Sequence, residues 1–404
     1  MKEGWNQRKF KHLYKEYSDA GHENEELLSV FLNRGVIKYS ESNGMQVHKP
    51  SESLEKYQLV LPGCLVLNNQ QAWRGSVGVS AYRGIVSPAY HVYTPLDDGL
   101  DSRYMNYLAR SAMVPTFELC SHGVGSIQRI LSKTELANSD VLLPPFGEQR
   151  RIADYLDSNC AEIDEAIQSA ESSLAEAKDY RKSLIAEEVM GRHLDSKTMA
   201  PSRNPWLGDM PADWKMERTK YCFEIRKRII GHEGPDVLAV TNRGIQVKDL
   251  SSGKGQFARN YSNYQIVEPG DFIMNNLDLV TGWVDCSSLS GVTSPDYRVF
   301  RSRRDDLRNE YYRYLFQMLY LCRIYRDVSN VVEGVGWGRL QRRIFDNFLL
   351  PIPPIEDQLR IAKRIGQKME ALESFVNTKQ SIIDDLKAYK QSLIYEVVTG
   401  KREV

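Results

Sequence analysis

Leu142-Leu-Pro-Pro-Phe-Gly-Glu-Gln-Arg-Arg-Ile-Ala153 occurs a second time in altered form, as Leu350-Pro-Ile-Pro-Pro-Ile-Glu-Asp-Gln-Leu-Arg-Ile-Ala362. A Pro-Pro pair suits the opening of a helix, where the first amides need no partner, and Glu148, Glu356 and Asp357 favour the positive end of the helix dipole. Each stretch then runs on for some 40 residues with apolar side chains spaced alternately four and three apart. The first series is Leu156, Cys160, Ile163, Ile167, Ala170, Leu174, Ala177 and Leu184; the second is Ile365, Met369, Leu372, Val376, Ile383, Leu386, Leu393 and Val397. That spacing is the pattern of a coiled-coil seam, and 40 residues at ~1.5 Å each give a rod on the order of 60 Å.

Working outward, the whole chain repeats at a shift of 207 to 209 residues. Trp5 matches Trp214, and Asn33-Arg34-Gly35 matches Asn242-Arg243-Gly244. Asn68-Asn69 matches Asn275-Asn276, while Ser87-Pro88 with Tyr90 matches Ser294-Pro295 with Tyr297. Tyr104 and Tyr107 return as Tyr311 and Tyr314. From Pro144 to Gly191 the match to Pro353–Gly400 has no gap. The parts before the helices are rich in Gly, Pro, Asn and Ser. They carry short strand-like runs at Cys64–Leu67 and Asp271–Met274, with helical pieces expected at Tyr104–Ser111 and Tyr311–Tyr325. The expected fold is α+β and internally duplicated: globular domains at 1–143 and 205–352, long helices at 144–192 and 353–404, and a linker at 193–204. That linker reaches at most ~45 Å, less than the rod, so the helices are expected to run antiparallel with the domains at opposite ends. Because the seams match, the first half alone is expected to pair antiparallel with a second copy of itself.

Composition narrows the function. The chain has 404 residues, 42% hydrophobic, and a net charge of zero, so it is no general polycation that coats DNA regardless of sequence. Positive charge concentrates in residues 201–352, whereas 144–200 are net acidic. Six scattered cysteines without a C-x-x-C pair support neither a disulfide framework nor a zinc site. Without a stretch of ~18 apolar residues or a signal-like start, the expectation is a cytoplasmic protein with no membrane contact.

Two similar but non-identical domains on a twofold-like frame suit a double helix, whose half-sites recur about every 34 Å. The openings quoted above, together with Trp206-Leu-Gly-Asp-Met-Pro-Ala-Asp-Trp214, resemble those of specificity subunits of type I restriction-modification systems. Nearly the whole chain shares the resemblance; the first domain departs from it by starting abruptly at Trp5. The resemblance implies that the globular parts are target-recognition domains reading an asymmetric, bipartite site in double-stranded DNA. It also implies that two adenine methyltransferase (modification) subunits dock on the frame, and that endonuclease (restriction) subunits can join. A structural coiled-coil scaffold is the rival reading, and the ordered duplication speaks against it.

Catalytic motifs are missing. Ser252-Gly-Lys-Gly255 falls short of a phosphate-binding loop, and Pro235-Asp236 and Pro295-Asp296 have no carboxylate-x-Lys partner before Asp385-Leu-Lys387, inside the second long helix. Leu143-Pro-Pro-Phe146 lacks the asparagine with which adenine methyltransferases grip the amino group. The expectation is a non-enzyme without cofactor or metal.

Candidate DNA-contact residues fall in two places. The segments Asn68-Asn-Gln-Gln-Ala-Trp-Arg-Gly75 and Asn275-Asn-Leu-Asp-Leu-Val-Thr-Gly282 carry amides able to pair bidentately with adenine. They diverge just after the shared Asn pair, as readers of different bases must; asparagine is equally a turn residue. From these come Asn68, Asn69, Gln70, Gln71, Trp73, Arg74, Asn275, Asn276, Asp278 and Thr281. The glycine loops at 121–129 and 334–343 add Arg129, Arg339 and Arg342, suited to phosphate approach, and Arg243 joins them. The run Arg298, Arg301, Arg303, Arg304, Arg308 reads as a phosphate patch or a solvated face, weakened by Asp305-Asp306. Cys160, Met369, Tyr180 and Tyr389 read as packing.

Overall fold

A computed structural model describes the chain except residues 1–3, 33, 43–49, 52, 124–128, 195–196, 250–259, 280–281 and 330–338. It divides into two compact units, Met1–Glu171 with Ser381–Val404, and Ser172–Gln380. Helices and antiparallel sheets make up both.

In the first unit, strand Asn6–Lys9 begins directly after Trp5 and pairs with Asp140–Leu143, so the start of the chain lies against the segment that leads into the long helix. A four-stranded antiparallel sheet runs in the order Tyr14–Tyr17, Tyr90–Pro95, Leu65–Asn68, Val77–Val79. Beside it the hairpin Leu28–Phe31/Gly35–Lys38 closes a core of Leu28, Val30, Val36, Val60, Val66, Val86 and Val92. Gly84 is required there: a Cβ would sit 2.3 Å from the Glu26 carbonyl oxygen, where Leu27 bridges Ile85.

The second unit repeats this plan. Lys215–Arg218 pairs with Leu349–Ile352, and the four-stranded order is Phe223–Ile225, Arg298–Ser302, Phe272–Met274, Val284–Cys286. Its core is more aromatic. Phe223, Phe272, Phe300 and Phe316 meet at centroid distances of 5.2 to 5.7 Å, mostly edge to face, a geometry that adds to the stabilisation from their burial.

The long helices are Phe146–Val189 and Ile355–Val398, 44 residues each. They end at Gly191 and Gly400, whose φ values of 68° and 72° favour glycine after a helix. The glutamine of the repeated opening explains itself here. Gln149 accepts from the Asp101 N–H (2.9 Å) and donates to the Gly99 and Pro144 carbonyls (3.1 Å each). Gln358 does the same with the Arg308 N–H (2.7 Å) and the Asp306 and Pro353 carbonyls (2.9 and 2.8 Å). Asp101 and Arg308 are the N-caps of helices Ser102–Arg110 and Asn309–Leu321, so one buried amide ties each long helix to its domain. At the far ends, Tyr104 donates to the Val398 carbonyl within the first unit and Tyr311 to the Val189 carbonyl within the second.

Both series of seam residues lie on the side each helix buries, with Leu174, Leu372, Val376 and Leu386 half-buried. Lys390 pairs with Asp164 at 2.6 Å and Lys387 with Glu171 at 3.1 Å in the first unit; Arg364 pairs with Glu188 at 2.8 Å in the second.

Three expectations need correction. The helix expected over Tyr311–Tyr325 breaks after Leu321, because Arg323 adopts a left-handed φ of 57° before Ile324–Val328 resumes. Tyr180 and Tyr389 are 53% and 48% exposed rather than packed, since they lie off the seam, while Cys160 and Met369 are buried. The arginine run does not form one exposed face, with Arg298 buried and only Arg303 fully at the surface. Arg298 is buried on the Phe345 ring, Arg301 is bonded to Asp271 and the Pro269 carbonyl, Arg303 lies near Glu224, Arg304 pairs with Asp306, and Arg308 donates to the Asp305 carbonyl.

Candidate nucleic-acid interface

In the first unit the candidate loop leaves strand Leu65–Asn68 as a tight turn. The Asn68 side-chain oxygen accepts from the Gln70 N–H at 3.0 Å, the turn-forming use of asparagine. Asn69 donates its N–H to Ala89 (3.1 Å), and its carbonyl accepts from the Leu131 N–H (3.2 Å). The turn leaves Gln70, Gln71 and Arg74 exposed. Trp73 is half-buried, donates its indole N–H to the Gln70 carbonyl (3.0 Å), and carries the Arg74 guanidinium 5.7 Å and the Arg129 guanidinium 4.6 Å from its ring. Arg129 is also tied to Glu118 at 3.3 Å. The two sequence candidates, the Asn-Asn-Gln-Gln loop and the basic end of the glycine loop, therefore meet on one tryptophan.

Beside them opens a cleft of about 690 Å³ whose lining includes Phe31, Tyr39, Tyr90, Asn68, Gln70 and Gln71. Its apolar floor with amides at the rim can receive a flat edge that offers both a methyl group and hydrogen-bonding atoms. On strand Tyr90–Pro95, His91 has a pKa below the usual imidazole value, first through burial and then through Lys133, so it is neutral at neutral pH.

The second unit has the same joint with different side chains. The Asn275 side-chain oxygen accepts from the Leu277 and Asp278 N–H groups (3.1 and 3.3 Å), and its carbonyl accepts from the Tyr320 hydroxyl (2.6 Å). Asn276 is only 5% exposed, and its carbonyl accepts from the Leu340 N–H at 2.9 Å, as Asn69 does from Leu131. The Leu340 carbonyl in turn accepts from Arg298 (2.9 Å), whose pKa burial lowers. The side-chain oxygens of Asn69 and Asn276 are buried without a hydrogen-bond partner among the described residues. Asp278 is half-buried; Arg243 is exposed at the tip of hairpin Leu238–Thr241/Gly244–Val247. Arg339 and Arg342 are exposed, 3.6 Å from Asp296 and 3.2 Å from Asp346. Thr281 and most of both glycine loops lie outside the described residues.

The shared asparagines thus hold the joint, and the diverging residues after them reach the surface. Sequence reasoning missed Leu119 and Ile130, 79% and 62% exposed on either side of the Glu118–Arg129 pair. A single apolar residue in a short helix or strand gives no periodic signal that it faces out.

Residues 28–170 and 233–387 match the sequence model of the family described as the type I restriction modification DNA specificity domain. The chain belongs to this family. Both matched stretches begin in a globular part and run into a long helix, so the family pattern is duplicated as the fold is. Two similar proteins come from Methanocaldococcus jannaschii. The MjaX type I specificity subunit is 20% identical over 367 residues, 87% of this chain and 81% of its own. The MjaVIII subunit is 19% identical over 286 residues, 68% of this chain and 64% of its own. Two solved structures share the fold. One chain, from a study of complex assembly and conformational transition of the type I R-M system, is 14% identical with a TM-score of 0.69 over 98% of both chains. The HsdS subunit of Thermoanaerobacter tengcongensis is 14% identical with a TM-score of 0.53, over 100% of this chain and 98% of that one. The chain is a type I specificity subunit, with the DNA-specificity domain present twice.

Proposed function

We propose that the chain reads an asymmetric, bipartite site in double-stranded DNA, the domain at 1–143 reading one element and that at 205–352 the other. The helices at 144–192 and 353–404, as an antiparallel coiled coil, set the unread spacing between them. The carrying observation is that equivalent joints bear different groups: exposed Gln70, Gln71 and Arg74 follow the asparagine pair in one unit, half-buried Leu277 and Asp278 in the other. In this reading Gln70 and Gln71 contact base edges, while Arg74, Arg129, Arg243, Arg339 and Arg342 contact phosphates. The asparagines position the joints.

The chain catalyses nothing itself in this proposal. Adenine methylation comes from two modification subunits, with endonuclease subunits joining them, in the cytoplasm. No helix among the described residues is long and apolar enough to cross a membrane. Genome-wide mapping of methyladenine in cells with and without this chain tests the reading. One asymmetric two-part motif should vanish with the chain; an unchanged methylation pattern refutes it.

A further inference from the structure

The two units repeat one plan, and a buried charge between the long helices of the second unit breaks the repeat. Glu188, in the last turn of the first long helix, is 4% exposed at its side chain. Its Oε1 accepts from Arg364 Nε (2.8 Å) and Lys368 Nζ (2.5 Å), both on the second long helix, and Oε2 lies 2.8 Å from His193 Nδ1. Burial pushes the Glu188 carboxyl up, but the Lys368 and Arg364 bonds outweigh it and hold its pKa below the ordinary glutamate value. The group is a carboxylate at neutral pH.

At the shift of 209 residues that relates the helices, Glu188 corresponds to Val397, Arg364 to Tyr155, Lys368 to Asn159 and His193 to Arg402. Val397 is fully buried. The same layer therefore holds a buried carboxylate in the second unit and a buried valine in the first, although the apolar seams around it match.

We infer that Glu188 is a pairing key: the C-terminal end of the first long helix accepts the Arg364/Lys368 face of the second helix and rejects the corresponding face of a second copy of the first. In a first-with-first pairing, Glu188 would meet Tyr155 and Asn159. His193, 2.8 Å from its Oε2, would accompany it, a single imidazole whose pKa burial holds below the ordinary value, in place of two permanent cations. A buried carboxylate without a cation is strongly unfavourable, whereas Arg364 and Lys368, 48% and 36% exposed, can hydrate when Glu188 is gone. Seam matching alone permits homotypic pairing of the first half; the charge layer forbids it, so the chain closes on its own second half. A mismatch against the wrong partner gives specificity that added attraction to the right one would not.

The test uses the full-length chain, by writing the first half's own residues opposite Glu188. Arg364→Tyr with Lys368→Asn should lower the thermal midpoint of the second unit by on the order of 10 °C and reduce methylation of the chain's target motif in cells. Adding Glu188→Val, the residue of the equivalent layer in the first unit, should restore both. Recovery in the triple variant supports the key even where the double variant fails to fold. A double variant within about 2 °C of the parent, or a triple variant no better than the double, overturns it.

Discussion

Replacing Gln358 by leucine removes a side chain that is fully buried and makes three hydrogen bonds while leaving the volume nearly unchanged. The Arg308 N–H and the Asp306 and Pro353 carbonyls lose their partner together. Each such group left unsatisfied costs about 1 kcal/mol where water has some access, so the expected loss is ~3 kcal/mol. For a unit of this size that is a fall in melting temperature of roughly 6–12 °C. Calorimetry of the full chain should show the loss in the transition of the second unit, because all three partners belong to it. Gln149→Leu should produce the same loss in the other transition, since its partners at Asp101, Gly99 and Pro144 lie in the first unit. A loss below about 1 kcal/mol in both variants would refute the view that this glutamine fastens helix to domain.

Gln70→Ala with Gln71→Ala should change or relax one part of the methylated motif and leave the other part as it is; methylome sequencing reads this, and a loss spread over both parts counts against base contact. Arg74→Ala and Arg129→Ala should each weaken DNA binding by the assembled complex without changing the motif, and lower the salt slope by about one for every phosphate no longer neutralised. Gly84→Ala should destabilise the first unit by several kcal/mol, because its Cβ would meet the Glu26 oxygen, whereas Gly147→Ala, with open space around it, should be neutral within about 0.5 kcal/mol; equal effects in denaturant titration would contradict the packing. Asp357 sits under Lys197 (2.6 Å) and the Trp214 indole (3.1 Å); burial alone would raise its carboxyl, and these bonds bring it below the usual value of 3.8. Its stabilisation is therefore complete above that value and lost as pH falls through the lowered one. The deficit of Asp357→Asn should be full at pH 7 and fade in acid, and a constant deficit would exclude this ion pair as its source.

The sequence alone determined the duplication, the two long helices, the seam side chains and the strand that precedes each candidate loop. These rest on local periodicity and on repeated residues, and a helix of 44 residues writes its buried face into its spacing many times over. The glycine run and the Asn-Asn loop were each legible as candidates, but not as one joint, because residues about 60 positions apart are brought together only by the main-chain bond from Leu131 to Asn69 and by the Trp73 ring. The arginines from 298 to 308 show the same limit from the other side. Five cations in eleven residues look like an external patch until tertiary structure supplies Asp271, Glu224 and Phe345, which no spacing rule connects to them. Glu188 reads as one more polar residue late in a helix; only the neighbouring helix makes it a buried ion. Faces repeat along a chain and can be read from it, whereas charge partners are chosen across space by packing, and the sequence records them at no fixed distance.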